Sequence, residues 1–210
     1  ADMATSMALM GGMGIVHRYN TVEKQVEIVE DVLDYTAESM DTCPVAAAIG
    51  VSGDFLDRAK ALYEVDVATI CVDVAHGHHI LIERALKTLK DTFGERVHII
   101  AGNVATLKAF NDLASWGADS IKVGIGGGSI CSTRIKTGHG MPTLQSIFEC
   151  AQSDKKAKLI ADGGIKTSGD IVKALAAGAD FVMLGSLLAG TDESPGGIHT
   201  SLDGKKYKVY

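Results

Sequence analysis

A chain of 210 residues, 46% of them hydrophobic, is long enough to bury one sizeable core and of a length that suits a single domain over residues 1–210. Its net charge of −6 and pI near 5.6 come without a run of Lys or Arg, which argues against a nucleic-acid partner, because neutralising phosphates takes clustered positive charge. No apolar stretch reaches the roughly 18 residues that span a bilayer, so no membrane partner is expected. The cysteines Cys43, Cys71, Cys131 and Cys150 show neither a zinc spacing nor a disulfide density, which points to a reducing cytoplasm.

The chain starts directly in a helix-like segment, with no strand visible before Ala1. The β-branched run GIVH (14–17) predicts a first strand, and Val22, Val26, Val29 and Leu33 then recur at the spacing of one helical face. The stretch from Tyr35 to Pro44 is the least periodic and reads as a loop. VAAAIG (45–50) and ATICVDVA (68–75) predict two further strands, and Ile82, Leu86, Leu89 and Phe93 line a second helical face. VHIIAGN (97–103), SIKVGI (120–125), KLIADGG (158–164) and DFVMLGS (180–186) complete a set of β-rich runs separated by amphipathic stretches. The tail GGIHTSLDGKKYKVY reads as a hairpin turning at Asp203-Gly204, with Lys205, Lys206 and Lys208 on a solvated face.

These strands are apolar on both faces and end in Gly, Asn or Asp, the pattern of a buried parallel sheet whose functional groups sit at strand C-termini. Repeated short βα units favour a (β/α)₈ TIM barrel over an open doubly wound sheet. A complete barrel wants eight strands and typically about 250 residues, so the first strand and the C-terminal part of the barrel are expected to be missing from this chain.

VGIGGGSICSTR (123–134) is the most informative segment: its glycines let the backbone turn and present N–H and C=O groups to an anion or a cation, and a Cys follows at once. ADGG (161–164) and LGS (184–186) lie at strand ends where many barrels bind phosphate, through the N–H groups of Gly164, Gly185 and Ser186. Asp162, one residue earlier, suits a ribose diol or caps the next turn. Cys71 and Cys150 read as packing groups. His76, His78 and His79 read as a solvated or cofactor-lining loop, since adjacent residues after a strand seldom converge on one metal.

The order HGH (76–78), AGNVAT (101–106), KVGIGGGSICSTR (122–134), ADGGIKTSGDIVKALAAGAD (161–180) and VMLGSLLAGTDESPG (182–196) resembles the IMP dehydrogenase and GMP reductase family over nearly the whole chain. The resemblance implies a catalytic thiolate at Cys131 that adds to C2 of a purine, with NAD as oxidant in the first branch or NADP, in its reduced form NADPH, as reductant in the second. Thr133 and Glu193 match catalytic partners. Ser129, Asp162, Gly163, Gly164, Gly185, Ser186 and Tyr210 match the site for a purine nucleoside monophosphate. Asp73, Asn103, Gly124, Ile125 and Gly126 match the cofactor side, and the carbonyls of Gly126, Gly128 and Cys131 match a potassium site. A homotetramer is also implied. Cys43 lies in the short connection where many members insert regulatory CBS modules, so this chain resembles the members without that insert. Within the family the expectation is IMP oxidation to XMP, with reductive deamination of GMP as the alternative and a non-catalytic nucleotide-binding barrel as a third reading.

Overall fold

The computed structural model describes residues 1–39 and 43–209. In chain order the elements are α1 (Asp2–Leu9), β1 (Gly14–Val16), α2 (Val22–Ala37), β2 (Val45–Ile49), α3 (Phe55–Glu64), β3 (Thr69–Asp73), α4 (Ile80–Phe93), β4 (His98–Val104), α5 (Leu107–Ser115), β5 (Ser120–Val123), α6 (Thr133–Thr137), α7 (Thr143–Cys150), β6 (Lys158–Asp162), α8 (Ser168–Ala176) and β7 (Phe181–Met183), with the hairpin β8 (Ile198–Thr200) and β9 (Lys206–Lys208) at the end. Each of the sequence-predicted strands is present. The segment from Tyr35 is a correction: α2 continues to Ala37, because Thr36 is buried and its hydroxyl donates to the carbonyls of Val32 and Leu33. Met40, Asp41 and Thr42 of the expected loop lie outside the described residues.

Strands β1 to β7 form one sheet in chain order, every pair parallel. Side-chain alternation then divides the apolar residues between two faces. Ile70 and Val72, Ile99 and Ala101, Ile121 and Val123, and Leu159 and Ala161 join the helices in the main core. The residues between them point the other way, and Ala48, Cys71, Ile100 and Ile160 form a second cluster with Ile15 and Met183 packed on it. Ile15 belongs to the first strand and Met183 to the seventh, so the sheet curls until its two sides share one interior. This is a (β/α)₈-type barrel, represented among the described residues by seven parallel strands.

Helix N-termini are capped where the strand-to-helix loops deliver a polar residue. Thr21 Oγ1 accepts from the Lys24 amide at 3.2 Å, Thr106 Oγ1 from the Ala109 amide at 3.3 Å, and Thr167 with Asp170 forms a capping box on α8. The loops at the C-terminal ends of the strands are thereby held in place.

Helix α4 buries Ile82, Leu86, Leu89 and Phe93 as expected. Helix α2 turns its expected face inward in part, with Val29 buried and Val26 and Leu33 partly buried against the core, and its buried residues Gln25, Val29, Val32 and Thr36 form a stripe turned roughly 60° from the Val22–Leu33 row. Gln25, fully buried, donates to the carbonyls of Val16 at 3.0 Å and Ala48 at 2.9 Å. Arg58 of α3, also buried, donates to Gln25 Oε1 at 2.8 Å, to the Asn20 carbonyl at 3.0 Å and to Asp54 at 2.7 Å. A polar network joins Val29 and Val32 in setting the facing side of α2.

Candidate active site at the strand C-termini

Above the apolar interior cluster, the inward row continues with charge. Asp73 ends β3, Asp162 ends β6, and Lys122 stands on β5 between them, its side chain only 6% exposed. Lys122 Nζ donates to Asp73 Oδ1 at 2.6 Å and Asp162 Oδ2 at 3.2 Å. Burial opposes the ammonium charge, and Cys71 together with the Asp162 and Asp73 carboxylates outweighs it, so Lys122 is held above the ordinary lysine value. Gly102 on the neighbouring strand makes room: a Cβ there would lie 2.7 Å from Lys122 Cβ. The sequence reading passed over Lys122. Its signal was a single cation inside SIKV, a strand otherwise fit for burial on both faces.

Asn103 closes the row, donating from Nδ2 to Asp162 Oδ2 at 2.9 Å and to the Gly124 carbonyl at 2.7 Å. Of the residues expected on the cofactor side, Asp73, Asn103 and Gly124 are therefore joined with the expected ribose carboxylate Asp162 in one array, and Ile125 and Gly126 follow in the glycine loop. Asp73 Oδ2 has no hydrogen-bond partner among the described residues. Cys71 sits one step below, fully buried, and desolvation pushes its thiol up to about 12; Cys150, packed at the end of α7, is likewise raised to about 12. Both act as apolar side chains, as their sequence context indicates.

After β5 the chain enters the glycine loop. Gly124 has φ +148°, and a Cβ there would fall 1.9 Å from the Asp162 carbonyl oxygen, so the close approach of the β5 and β6 loops requires glycine. The turn is fixed by Gly124 N–H donating to the Val104 carbonyl at 2.8 Å and Met141 N–H to the Ile125 carbonyl at 3.0 Å. Cys131, half-buried, lies 3.4 Å from Thr133 across a hydrogen bond between Sγ and Oγ1. The Thr133 hydroxyl, then the Thr133 and Gly126 backbone amides and the Arg134 charge, hold the Cys131 thiol below its ordinary value. When the thiol ionises, the hydroxyl becomes the donor. Such stabilisation of the anion is what a nucleophilic cysteine needs.

Ser129, Asp162, Gly163, Gly164, Gly185 and Ser186, drawn from three loops, all line one cavity of about 380 Å³. Met3 of α1, Ser194 and Pro195 line it as well. Cys131 follows directly in the chain on Gly128–Ile130, which line this cavity, while neither Cys131 nor Thr133 is itself among the lining residues. Glu193 is not among its lining residues, and no hydrogen bond joins Glu193 to Thr133 among the described residues. Its own backbone amide holds the Glu193 carboxyl below the usual carboxylate range. Tyr210 lies outside the described residues.

The carbonyls of Gly126 and Cys131 accept no hydrogen bond among the described residues, and that of Gly128 accepts one, from Cys131 N–H at 3.2 Å. Backbone oxygens left free in this way suit a hard monovalent cation. His78 bonds Asp112 of α5 at 2.8 Å and stacks on Trp116, which ties the HGH loop to the barrel wall. Of the tail lysines expected on a solvated face, Lys205 and Lys206 are exposed. Lys208 is a correction: its ammonium is enclosed by the carbonyls of Thr191, Asp192 and Ser194.

No helix among the described residues is long and apolar enough to cross a membrane. The chain is 50% identical over 180 residues to a GMP reductase of Leishmania major, an alignment covering 84% of this chain and 36% of that protein. It is 48% identical over 191 residues to an inosine-5'-monophosphate dehydrogenase of Bacillus subtilis (strain 168), covering 88% of this chain and 38% of the relative. It thus spans well under half the length of these curated relatives. The crystal structure of an inosine 5' monophosphate dehydrogenase from Legionella pneumophila superposes with a TM-score of 0.87 at 46% identity, over 99% of this chain and 60% of that one. With the model of the IMP dehydrogenase / GMP reductase domain matching residues 1–210 and the glycine loop, cysteine and strand-end cavity in place, the chain belongs to the IMP dehydrogenase / GMP reductase family of oxidoreductases.

Proposed function

We propose that the site binds a purine nucleoside monophosphate and oxidises IMP to XMP with NAD. The observation that carries this reading is the convergence of Ser129, Asp162, Gly163, Gly164, Gly185 and Ser186 on one cavity, its lining loop followed directly by a cysteine whose thiolate is stabilised. Amides of Gly164, Gly185 and Ser186 bind the phosphate, and the Asp162 carboxylate accepts from the ribose hydroxyls. The Cys131 thiolate then adds to C2 of the purine, forming a carbon–sulfur bond. A nicotinamide, when bound, supplies the acceptor for the proton and electron pair that leave C2. Asp73, with one oxygen fixed by Lys122 and the other free, fits a hydroxyl of that cofactor's ribose. Water attack on the resulting thioimidate releases XMP and returns the thiol. Thr133 stays with the sulfur, and Glu193 works with Thr133 in the deaminating chemistry of the second reading below. Gly126, Gly128 and Cys131 carbonyls fit a potassium ion that shapes the loop, and a homotetramer is the expected assembly.

GMP reductase chemistry, with NADPH and loss of ammonia from GMP, is the second reading; the 50% identity to a GMP reductase favours it. Both use the same cysteine. The experiment is to incubate the protein with IMP and NAD, or with GMP and NADPH, and follow NADH, NADPH and ammonia, with mass spectrometry of the quenched protein. A purine adduct on Cys131 and NADH from IMP is the expected outcome. NADPH consumption and ammonia from GMP, with no reaction of IMP, would replace the first reading by the second, and nucleotide binding without an adduct would leave a binding protein. Inosine binding as tightly as IMP would overturn the phosphate assignment.

A further inference from the structure

Lys208, at the end of β9, directs its ammonium into a short turn of the chain between β7 and β8. Its Nζ lies 2.5 Å from the carbonyl oxygen of Thr191, 2.7 Å from that of Ser194 and 3.2 Å from that of Asp192. An ammonium has three N–H donors, and here each has a backbone acceptor. Carbonyl dipoles that converge on one centre repel each other unless a positive charge sits among them. The 191–194 turn therefore depends on the cation at its middle. Ser194 and Pro195 continue from this turn to the cavity lining, and Glu193 is inside the turn. Contact between the two segments extends beyond the lysine, since a Cβ on Gly196 would lie 2.9 Å from the Val209 carbonyl oxygen.

We propose that Lys208 is a positioning residue that acts as a built-in monovalent cation: its caged ammonium holds residues 191–195 against the cavity, and a small external ammonium ion takes over when the side chain is removed. The pinning of the turn stands on this geometry, while its bearing on nucleotide affinity rests on the purine-nucleotide reading above.

Hydrogen exchange of the 188–196 backbone tests the pinning in the wild type, Lys208→Ala and Lys208→Met, with IMP titrations alongside. Lys208→Met keeps the stem and removes only the charge. Exchange in this segment should rise about tenfold or more in both variants, with the rest of the barrel unchanged, because charge-assisted hydrogen bonds are lost locally. Ethylammonium should restore protection to Lys208→Ala, whereas tetramethylammonium at equal ionic strength, having no N–H donor, should not. IMP affinity should fall and recover in step with the exchange. Unchanged exchange in both variants, equal rescue by the two ions, or a loosened turn with unaltered IMP affinity would each overturn the proposal. A wild type that binds no IMP would instead refute the nucleotide reading, and the exchange data would still decide whether Lys208 pins the turn.

Discussion

Replacing Lys122 with Met removes the one buried cation of the interior array and keeps most of its volume. Two carboxylates then face each other across the space the ammonium occupied. Lys122 makes two charge-assisted hydrogen bonds, at 2.6 and 3.2 Å, each worth about 1.5–3 kcal/mol. The full sum is not expected, because Asp73 is 36% exposed and Asp162 22%, and water and Asn103 compensate part of the loss. Leaving an uncompensated charge in a largely buried site still costs several kcal/mol, which places the net destabilisation at about 2–4 kcal/mol. For a chain of this size that is a drop of roughly 5–15 °C in Tm. Urea and thermal unfolding at neutral pH measure it directly, and Lys122→Met/Asp162→Asn should recover at least ~1 kcal/mol by removing the unpaired charge. A Lys122→Met protein within about 0.5 kcal/mol of wild type, a shift typical of neutral surface changes, would show that the array does not need its cation.

Two other outcomes follow from the glycine loop. Because the thiolate is the reacting form and the Cys131 value is lowered, its alkylation by iodoacetamide should persist to lower pH than that of an ordinary cysteine; Thr133→Val should move the profile up and slow the neutral-pH reaction. Identical profiles would remove the hydroxyl from the account, and Cys71 and Cys150 should stay unmodified while the protein is folded. Gly124→Ala should lower stability by about 3 kcal/mol or more, since a Cβ 1.9 Å from the Asp162 carbonyl forces the β5 and β6 loops apart; an unchanged Tm would refute the close approach.

The strands and the cavity were legible because each depends on local chemistry. A strand covered on both faces must be apolar, and a strand end that lines a cavity with its backbone favours glycine or serine, so KLIADGG and DFVMLGS display both features at once. What escaped reading depends on partners distant in the chain. Lys122 meets Asp73 and Asp162 only when the sheet curls, and nothing within SIKV reveals which carboxylates will face it. Lys208 looks like any hairpin lysine until the 191–194 carbonyls surround it. The rotation of α2 toward Gln25 is hidden for the same reason, because Gln25 is buried by carbonyls of β1 and β2 and by Arg58 of α3.

That last network makes the docking of α2 a discrete event. An apolar stripe slides over a sheet with gradual losses, but Gln25 has one position in which its amide reaches both Val16 and Ala48 and its oxygen meets Arg58. A helix one residue out of step would take Gln25 away from the guanidinium and from both carbonyls at once. The first two βα units therefore click into register together or remain undocked, so they should open and close as one cooperative piece. The errors this excludes are near-native ones, the slipped packings that hydrophobicity alone would tolerate.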